Sequence, residues 1–424
     1  MSRFSLEVVQ NELLADGATS MDAVVTVTAS GARPVLVGEA AEILVIDTSA
    51  SMADPPSRIW AARLAAAEAV ENIRDGVRFA VIAGNDRVAT VYPTWGRELI
   101  VADPSTRHAA REAVRHLAVE GGTAMSAWLY AARELFATST ASIRHVILVT
   151  DGENREESWR LDEALAACTG VFQADCRGVG TAWLVHELRK IASALLGTVD
   201  IIPESGQMEA EFRELMDAAM RRAVGGVALR VWCPKDAAVR LVRQVSPDVE
   251  DLTARAVQLD AFTRQYPLGA WGDEVRDYQL TVELPRNEVG VEMLAARVEL
   301  AVGEEVVGRA VIRAAWTDDR VASGSTNADV AHFNAQAELA ATIQRGLYAL
   351  RFGDVATATA QLGRAAQIAA GSGHDATLRL LDKVIEITDE RTGTVQVRPN
   401  VDKADEMALD ARSTRTVRTN HAAS

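Results

Sequence analysis

The sequence has few of the residues that mark secreted, membrane-spanning or zinc-binding proteins. Its cysteines, Cys168, Cys176 and Cys233, are odd in number and show no paired ligand spacing, which argues against a disulfide framework or a zinc site. No apolar run approaches the roughly 18–20 residues of a membrane span, and the N-terminus has no apolar signal core. We therefore expect a cytoplasmic protein without a membrane span.

Positive charge is also scarce. Lysine occurs only at Lys190, Lys235, Lys383 and Lys403, and 44 Lys and Arg face 59 Asp and Glu, for a net charge of −15. A nucleic-acid-binding surface needs clustered cations to neutralise phosphates, so nucleic acid is not expected as a partner. The acidic balance modestly raises the local concentration of cations instead.

The chain does contain enough apolar sequence for a large folded protein. Of its 424 residues, 48% are hydrophobic and 24% are charged, which is the composition of a globular protein with a buried core. This length exceeds one ordinary core. It therefore indicates two or three domains.

One short run carries the clearest chemical signal. Glu42-Ile-Leu-Val-Ile-Asp47-Thr-Ser49-Ala-Ser51-Met is an apolar strand that ends at an aspartate, with two serines at alternate positions in the turn. This spacing points one carboxylate and two hydroxyls into one pocket, and oxygen ligands suit Mg2+, Mn2+ or Ca2+. Taken alone, the pattern is more typical of helix caps and turns.

Two later segments supply what such a pocket still lacks. Gly121-Gly122-Thr123 precedes a helical stretch and offers a third hydroxyl, and Val146-Ile-Leu-Val-Thr-Asp151-Gly-Glu153 is a second apolar strand ending in a carboxylate. In an open α/β sheet the carboxyl ends of parallel strands form the ligand-binding edge. The three segments together therefore favour a metal site over isolated turns.

These motifs resemble the metal-ion-dependent adhesion site of von Willebrand factor type A domains, whose pattern is Asp-x-Ser-x-Ser, a distant Thr, and Asp-Gly after a central strand. All five positions are filled here, by Asp47, Ser49, Ser51, Thr123 and Asp151. The resemblance spans roughly residues 39–224. It implies a doubly wound, Rossmann-like α/β domain.

The resemblance also implies how the site works. In similar domains the serines bind the ion directly, the threonine does so in one state, and the aspartates act mainly through water. Carried over, Ser49 and Ser51 are direct ligands of Mg2+, with Mn2+ or Ca2+ as alternatives, and a partner's Glu or Asp completes the shell. The glycines before Thr123 then permit a switch, or they form only a tight turn.

Outside this domain the hydrophobic period indicates other structures. Alternating runs in residues 1–38 and 225–318 predict strands of one discontinuous β-sandwich into which the α/β domain of residues 39–224 is inserted. Residues 326–390 predict a small helical bundle, with segments near 327–351, 354–371 and 374–389. The tail, 391–424, has low hydrophobicity and mixed charge, so we expect it to be largely disordered.

We expect a binding protein rather than an enzyme. His145 falls in a predicted strand and His186 in a predicted helix, where packing is a better explanation than catalysis, and the sequence contains no Walker A loop. The leading hypothesis is a metal-dependent scaffold that binds an acidic side chain of a partner protein.

Two alternatives stay open. Relatives of this domain serve as adaptors of AAA+ ATPases or accompany Ser/Thr kinase–phosphatase systems, and a metal-dependent hydrolase is a weaker alternative. A phosphothreonine-binding partner for the tail, at Thr414, Thr416 or Thr419, is a further hypothesis.

Overall fold

The structure, a computed structural model, describes residues 3–31, 38–96, 98–324 and 327–418. The chain divides into two units. One comprises residues 33–225 and 269–272, and the other comprises 1–32, 226–268 and 273–424. The N-terminal strands of the second unit are β1 (Arg3–Gln10), β2 (Leu13–Ala15) and β3 (Ser20–Ser30).

The first unit contains a seven-stranded sheet with the strand that precedes Asp47 near its centre. Its strands are β4 (Ala40–Asp47), β5 (Arg78–Gly84), β6 (Ala89–Tyr92), β7 (Ile100–Val101), β8 (Ile143–Thr150), β9 (Gln173–Val179) and β10 (Val199–Ile202), in the order β10-β9-β8-β4-β5-β6 with β7 beside β5. The pairings among β10, β9, β8, β4 and β5 are parallel, whereas β6 pairs with β5 in antiparallel orientation. The two apolar strands predicted before Asp47 and Asp151 are therefore present and adjacent.

Helices connect these strands. They are α1 (Ser57–Glu71), α2 (Pro104–Arg115), α3 (Met125–Ala137), α4 (Ser158–Cys168), α5 (Val185–Ala194) and α6 (Met208–Arg221). Apolar residues of α1, α2 and α6 share one buried cluster with Leu44 and Ile46 of β4 and Ile147 of β8, while α3 packs with α4. Every residue of β4 is buried, as expected for a parallel strand covered on both faces.

The second unit contains two further sheets. After β10 the strands continue as β11 (Val224–Trp232), β12 (Ala238–Ser246), β13 (Glu250–Asp251), β14 (Val257–Gln258), β15 (Thr263–Trp271), β16 (Glu274–Glu283), β17 (Glu292–Val302) and β18 (Glu305–Thr317). The sheet orders are β1-β3-β16-β12-β13 and β14-β15-β11-β17-β18-β2. N-terminal strands thus pair with strands of the segment after residue 224, as predicted from the alternation of apolar and polar residues in both segments. The packing of the two sheets as a sandwich stays a prediction.

The C-terminal region of the second unit is helical with a small hairpin. It comprises α7 (Arg320–Gly324), α8 (Ala328–Arg351), α9 (Val355–Gly371), α10 (Asp375–Val384), β19 (Ile385–Asp389), β20 (Thr394–Val397) and α11 (Lys403–Arg412). The helix predicted over 374–389 is wrong beyond residue 384, because β-branched Ile385 and Ile387 alternate with polar residues and pair with β20. Among the described residues, none of the helices combines the length and the apolar character that crossing a membrane requires.

The expectation of a largely disordered tail is wrong for residues 394–418. Leu409 of α11 is fully buried in a cluster with residues of α8, α9 and α10, and Arg351 forms ion pairs with Glu406 and Asp410. Thr414 and Thr416 follow in an ordered segment whose backbone bonds to Pro247 and Val249. Thr419, the third suggested phosphorylation site, lies outside the described residues.

Candidate functional site

The side chains singled out in the sequence come together at the C-terminal edge of the seven-stranded sheet. Ile46 of β4 lies beside Val149 of β8 in parallel register, so Asp47 and Asp151 follow at the same edge. Asp47 and Asp151 are 0% exposed, Ser49 is 2% and Thr123 is 3% exposed, while Ser51 is partly exposed. The cluster is therefore a buried pocket that reaches solvent near Ser51.

Hydrogen bonds connect the hydroxyls and carboxylates into one chain. Ser49 Oγ lies 2.9 Å from Ser51 Oγ, and Ser51 Oγ donates to Asp151 Oδ1 at 2.6 Å. A Cβ built on Gly152 would lie 3.3 Å from both Ser51 Oγ and Thr123 Oγ1. The hydroxyls of Ser51 and Thr123 therefore face the same small volume beside Asp151.

Asp47 is held from two sides. Its Oδ1 accepts the backbone N–H of Ser49 at 2.7 Å, and its Oδ2 accepts the hydroxyl of Thr150 at 2.5 Å. Burial raises the pKa of Asp47 to about 6, against the hydrogen bonds from Ser49 and Thr150 that lower it, and the nearby charge of Asp151 raises it further. The pocket thus destabilises the charged carboxylate, and a bound cation would offset that cost.

Backbone hydrogen bonds fix three site loops, residues 47–52, 120–123 and 150–156, against one another. Glu120 N–H donates to the Thr48 carbonyl at 2.9 Å, Ala50 N–H donates to the Gly121 carbonyl at 3.1 Å, and Arg155 N–H donates to the Thr123 carbonyl at 3.0 Å. Gly121 adopts a φ of +73°, a left-handed conformation that glycine adopts without strain. The loop that presents Thr123 is therefore attached to both neighbouring loops.

Two polar residues beside the site have structural roles that the sequence did not reveal. Asn154 Oδ1 accepts the N–H of Met125 at 3.1 Å, and Glu156 accepts both the N–H and the hydroxyl of Ser126, at 2.9 and 2.6 Å. These side chains satisfy free amides in the first turn of α3. Glu153, in contrast, is exposed.

Arg58 and Thr150 belong to the site but were not predicted. Arg58 Nη1, in the first turn of α1, lies 2.9 Å from Asp151 Oδ2. The helix dipole disfavours a cation in the first turn of a helix. The presence of Arg58 there is the one sequence signal that an acidic side chain lies nearby. Thr150 ends β8 directly before Asp151, but its bond to Asp47 depends on the register between two strands far apart in the sequence.

The donor set fits a hard divalent cation. Two carboxylates and three hydroxyls supply only oxygen, which is the ligand type that Mg2+, Mn2+ and Ca2+ prefer. Within the part of the chain that the structure describes, no group of three or more His, Cys, Asp or Glu side chains is placed to hold a metal ion. The site thus depends on Ser49, Ser51 and Thr123 as well as on its two carboxylates.

Fold and site together define an α/β domain with a hydroxyl–carboxylate pocket at the sheet edge, and comparison with known proteins identifies its family. The sequence model of the von Willebrand factor type A domain matches residues 43–153, and that of the von Willebrand factor type A C-terminal domain matches residues 367–413. No curated protein matches the sequence.

Solved structures extend the match over nearly the whole chain. The structure titled von Willebrand factor type A from Catenulispora acidiphila is 44% identical, has a TM-score of 0.94, and aligns over 99% of this chain and 98% of that chain. The ArnB paralog VWA2 from Sulfolobus acidocaldarius is 13% identical, has a TM-score of 0.57, and aligns over 97% of this chain and 98% of that chain. It shares the fold. The chain therefore belongs to the von Willebrand factor type A family, whose domains often mediate protein–protein interactions.

Proposed function

We propose that this protein is a metal-dependent interaction module. A divalent cation, Mg2+ foremost and Mn2+ or Ca2+ as alternatives, is held by the five side chains of the pocket and binds a Glu or Asp of a partner protein. The residues that hold it are Asp47, Ser49, Ser51, Thr123 and Asp151. When bound, the ion supplies a Lewis-acidic position for an incoming carboxylate.

The observation that carries this proposal is the convergence of hydroxyls and carboxylates from three loops. Ser49, Ser51 and Asp151 form a continuous hydrogen-bonded chain, and the hydroxyl of Thr123 borders the same volume as that of Ser51. Neutral hydroxyls leave much of the charge of a divalent ion uncompensated, so a carboxylate from outside is the complementary ligand. This is the chemical reason for a partner with an exposed acidic side chain.

We further propose that the protein binds its partner without converting it. His145, a residue type that often serves as a general base, is buried between Glu42 and Asp175 at the start of its strand, whereas the pocket lies at the strand ends. The three cysteines are buried free thiols, which supports a reducing, cytoplasmic location. Hydrolysis of phosphoesters by the metal-loaded protein would contradict the non-enzymatic part of the proposal.

Isothermal titration of the EDTA-stripped protein with Mn2+ tests the metal site. We expect binding by the wild type and no measurable binding by the double variant Asp47→Ala/Ser49→Ala, which removes one carboxylate and one hydroxyl. Ser57→Ala, a change at an exposed serine just outside the pocket, should bind like the wild type. A wild type that does not bind Mn2+, Mg2+ or Ca2+ would refute the metal site.

Affinity purification with and without EDTA tests the partner. Proteins recovered only with metal, and lost from Asp47→Ala/Ser49→Ala, are the expected result. An AAA+ ATPase or a kinase among them would favour the adaptor role over a general scaffold. Recovery that is unchanged by EDTA and by the double variant would contradict metal-dependent binding.

A further inference from the structure

The two carboxylate oxygens of Asp151 have different partners: one bonds within the pocket, and the other pairs with Arg58 in the first turn of α1. Asp151 Oδ1 accepts the hydroxyl of Ser51 at 2.6 Å, whereas Oδ2 accepts Arg58 Nη1 at 2.9 Å. Asp151 is fully buried, and the side chain of Arg58 is 23% exposed. The two groups therefore form a largely desolvated ion pair within the proposed metal pocket.

We propose that Arg58 is a built-in competitor of the metal ion. Its guanidinium neutralises Asp151 in the metal-free protein and thereby weakens the binding of a divalent cation. This inference rests on the proposed metal site and assigns a regulatory role to a residue outside the five oxygen donors.

Electrostatics gives the direction of the effect. A cation beside a carboxylate repels any second cation that approaches the same oxygen atoms. The same repulsion acts on a metal ion that shares the carboxylate with a guanidinium. Because Asp151 is buried, solvent screens this repulsion less than it would at the surface. Loss of the Arg58 charge should therefore strengthen metal binding.

The position of Arg58 is fixed by its surroundings rather than by chance on a mobile surface. Its backbone N–H donates to the Pro55 carbonyl at 3.0 Å, and its Nη2 lies 3.5 Å from where a Cβ on Gly180 would stand. At that distance the Gly180 turn lies directly against the guanidinium. Among the described residues, Asp151 is the carboxylate to which the structure joins Arg58.

The ion pair also has a consequence for the metal-free protein. Removing one member of a buried pair leaves the other as an uncompensated charge, which is strongly destabilising. A neutral residue at position 58 should therefore lower the melting temperature in EDTA. Metal should then restore more stability to that variant than to the wild type, because a tighter ligand stabilises the folded state more at a given concentration.

Titration of the full-length, EDTA-stripped protein with Mn2+ tests the proposal. We expect Arg58→Gln to bind Mn2+ on the order of 10-fold more tightly than the wild type, to melt at a lower temperature in EDTA, and to gain more on Mn2+ addition. Arg58→Lys, which keeps the charge, should stay close to the wild type. Arg58→Met is a second neutral variant if Arg58→Gln does not fold.

Arg345→Gln is the matched control. Arg345 is exposed on α8 and has no carboxylate partner among the described residues, so its loss tests the change in net charge alone. Mn2+ affinity of that variant should match the wild type. An equal increase in Arg345→Gln and Arg58→Gln would overturn competition at Asp151.

The possible outcomes separate this inference from the proposed function. If the wild type binds Mn2+ and the neutral variants bind equally or more weakly, Arg58 does not compete, while the metal site stands. If only the neutral variants bind, Arg58 competes so strongly that the wild type is not a metal protein under those conditions. Failure of the wild type and of all variants to bind overturns both proposals.

Discussion

At the scale of single residues, Gly152 decides whether the pocket has room for an ion. It directly follows Asp151, and a Cβ there would lie 3.3 Å from the hydroxyls of Ser51 and Thr123, closer than ordinary van der Waals contact. Its φ is not positive, so alanine is compatible with the backbone. The added methyl group would therefore push on the hydroxyls of the proposed metal site without disturbing the fold.

We expect Gly152→Ala to weaken Mn2+ binding about 10-fold or more, as changes that displace metal ligands commonly do, with little change in melting temperature. Gly206→Ala is the matched control, because a Cβ at Gly206 meets nothing within 4 Å. Titration calorimetry and thermal unfolding of both variants give the two readouts. Unchanged Mn2+ affinity in Gly152→Ala would place the ion away from these hydroxyls.

The five side chains proposed to hold a metal ion could be picked out from the sequence because each belongs to a short local motif. Asp47, Ser49 and Ser51 lie within one turn, and Asp151 ends a β-branched apolar run of the kind typical of a buried strand. The hydrogen bond from Thr150 and the ion pair from Arg58 were not predictable. They depend on strand register and on the reach of a long side chain across separate loops, which no local pattern encodes.

At the scale of elements, the doubly wound sheet was predictable and the tail was not. Continuous apolar runs such as 43–46 indicate buried parallel strands directly. In contrast, α11 has low overall hydrophobicity, and only a short stretch, Met407–Ala411, is buried. Its attachment depends on Leu409 in the helical core and on the ion pairs of Arg351, long-range contacts that an average over composition misses.

The crossing of α8 and α9 depends on a glycine. A Cβ at Gly346 of α8 would lie 2.7 Å from Leu362 of α9, so the helices approach closely at that point. Alanine normally stabilises a helix relative to glycine, but overpacking here should prevail. We expect Gly346→Ala to destabilise the protein by about 1–3 kcal/mol.

Gly371→Ala serves as the control for this prediction. It lies in α9, where a Cβ meets nothing within 4 Å, and should be neutral or stabilising by up to about 1 kcal/mol. Denaturant unfolding followed by circular dichroism compares the two variants. Equal effects of both substitutions would show that helix propensity, rather than the α8–α9 contact, decides their stability.

At the scale of the whole molecule, acidic groups outnumber basic ones, and a buried charge network places His145 between two carboxylates, one of which also pairs with Arg222. His145 Nδ1 lies 2.9 and 3.0 Å from the two oxygens of Glu42, and its Nε2 lies 2.8 Å from Asp175. A neutral imidazole donates through only one nitrogen. The geometry therefore favours a doubly protonated His145 between two carboxylates.

The pKa values of this network give the sign of its pH dependence. Burial and Arg222 lower the pKa of His145, but Glu42 and Asp175 outweigh them and raise it above its ordinary value of 6.5. Burial raises the pKa of Glu42. Burial also opposes ionisation of Asp175, but Arg222, His145 and Arg177 hold its pKa well below its ordinary value. Protonated His145 makes its full contribution to the free energy of unfolding below about pH 6.5. That contribution is lost as pH rises through the folded-state pKa of His145.

We expect the melting temperature to fall as pH rises above 6.5, and His145→Gln to flatten that decline. Glutamine leaves the carboxylates of Glu42 and Asp175 without the imidazolium, so the variant should lose about 3 kcal/mol at pH 6 and less at higher pH. His186→Gln, at an exposed position on α5, should behave like the wild type. Thermal unfolding from pH 6 to 9 measures the slopes. An equally steep decline in His145→Gln would show that deprotonation of His145 does not set the response to pH, which would then come from ionisation of buried Glu42 or from surface repulsion under the net charge of −15.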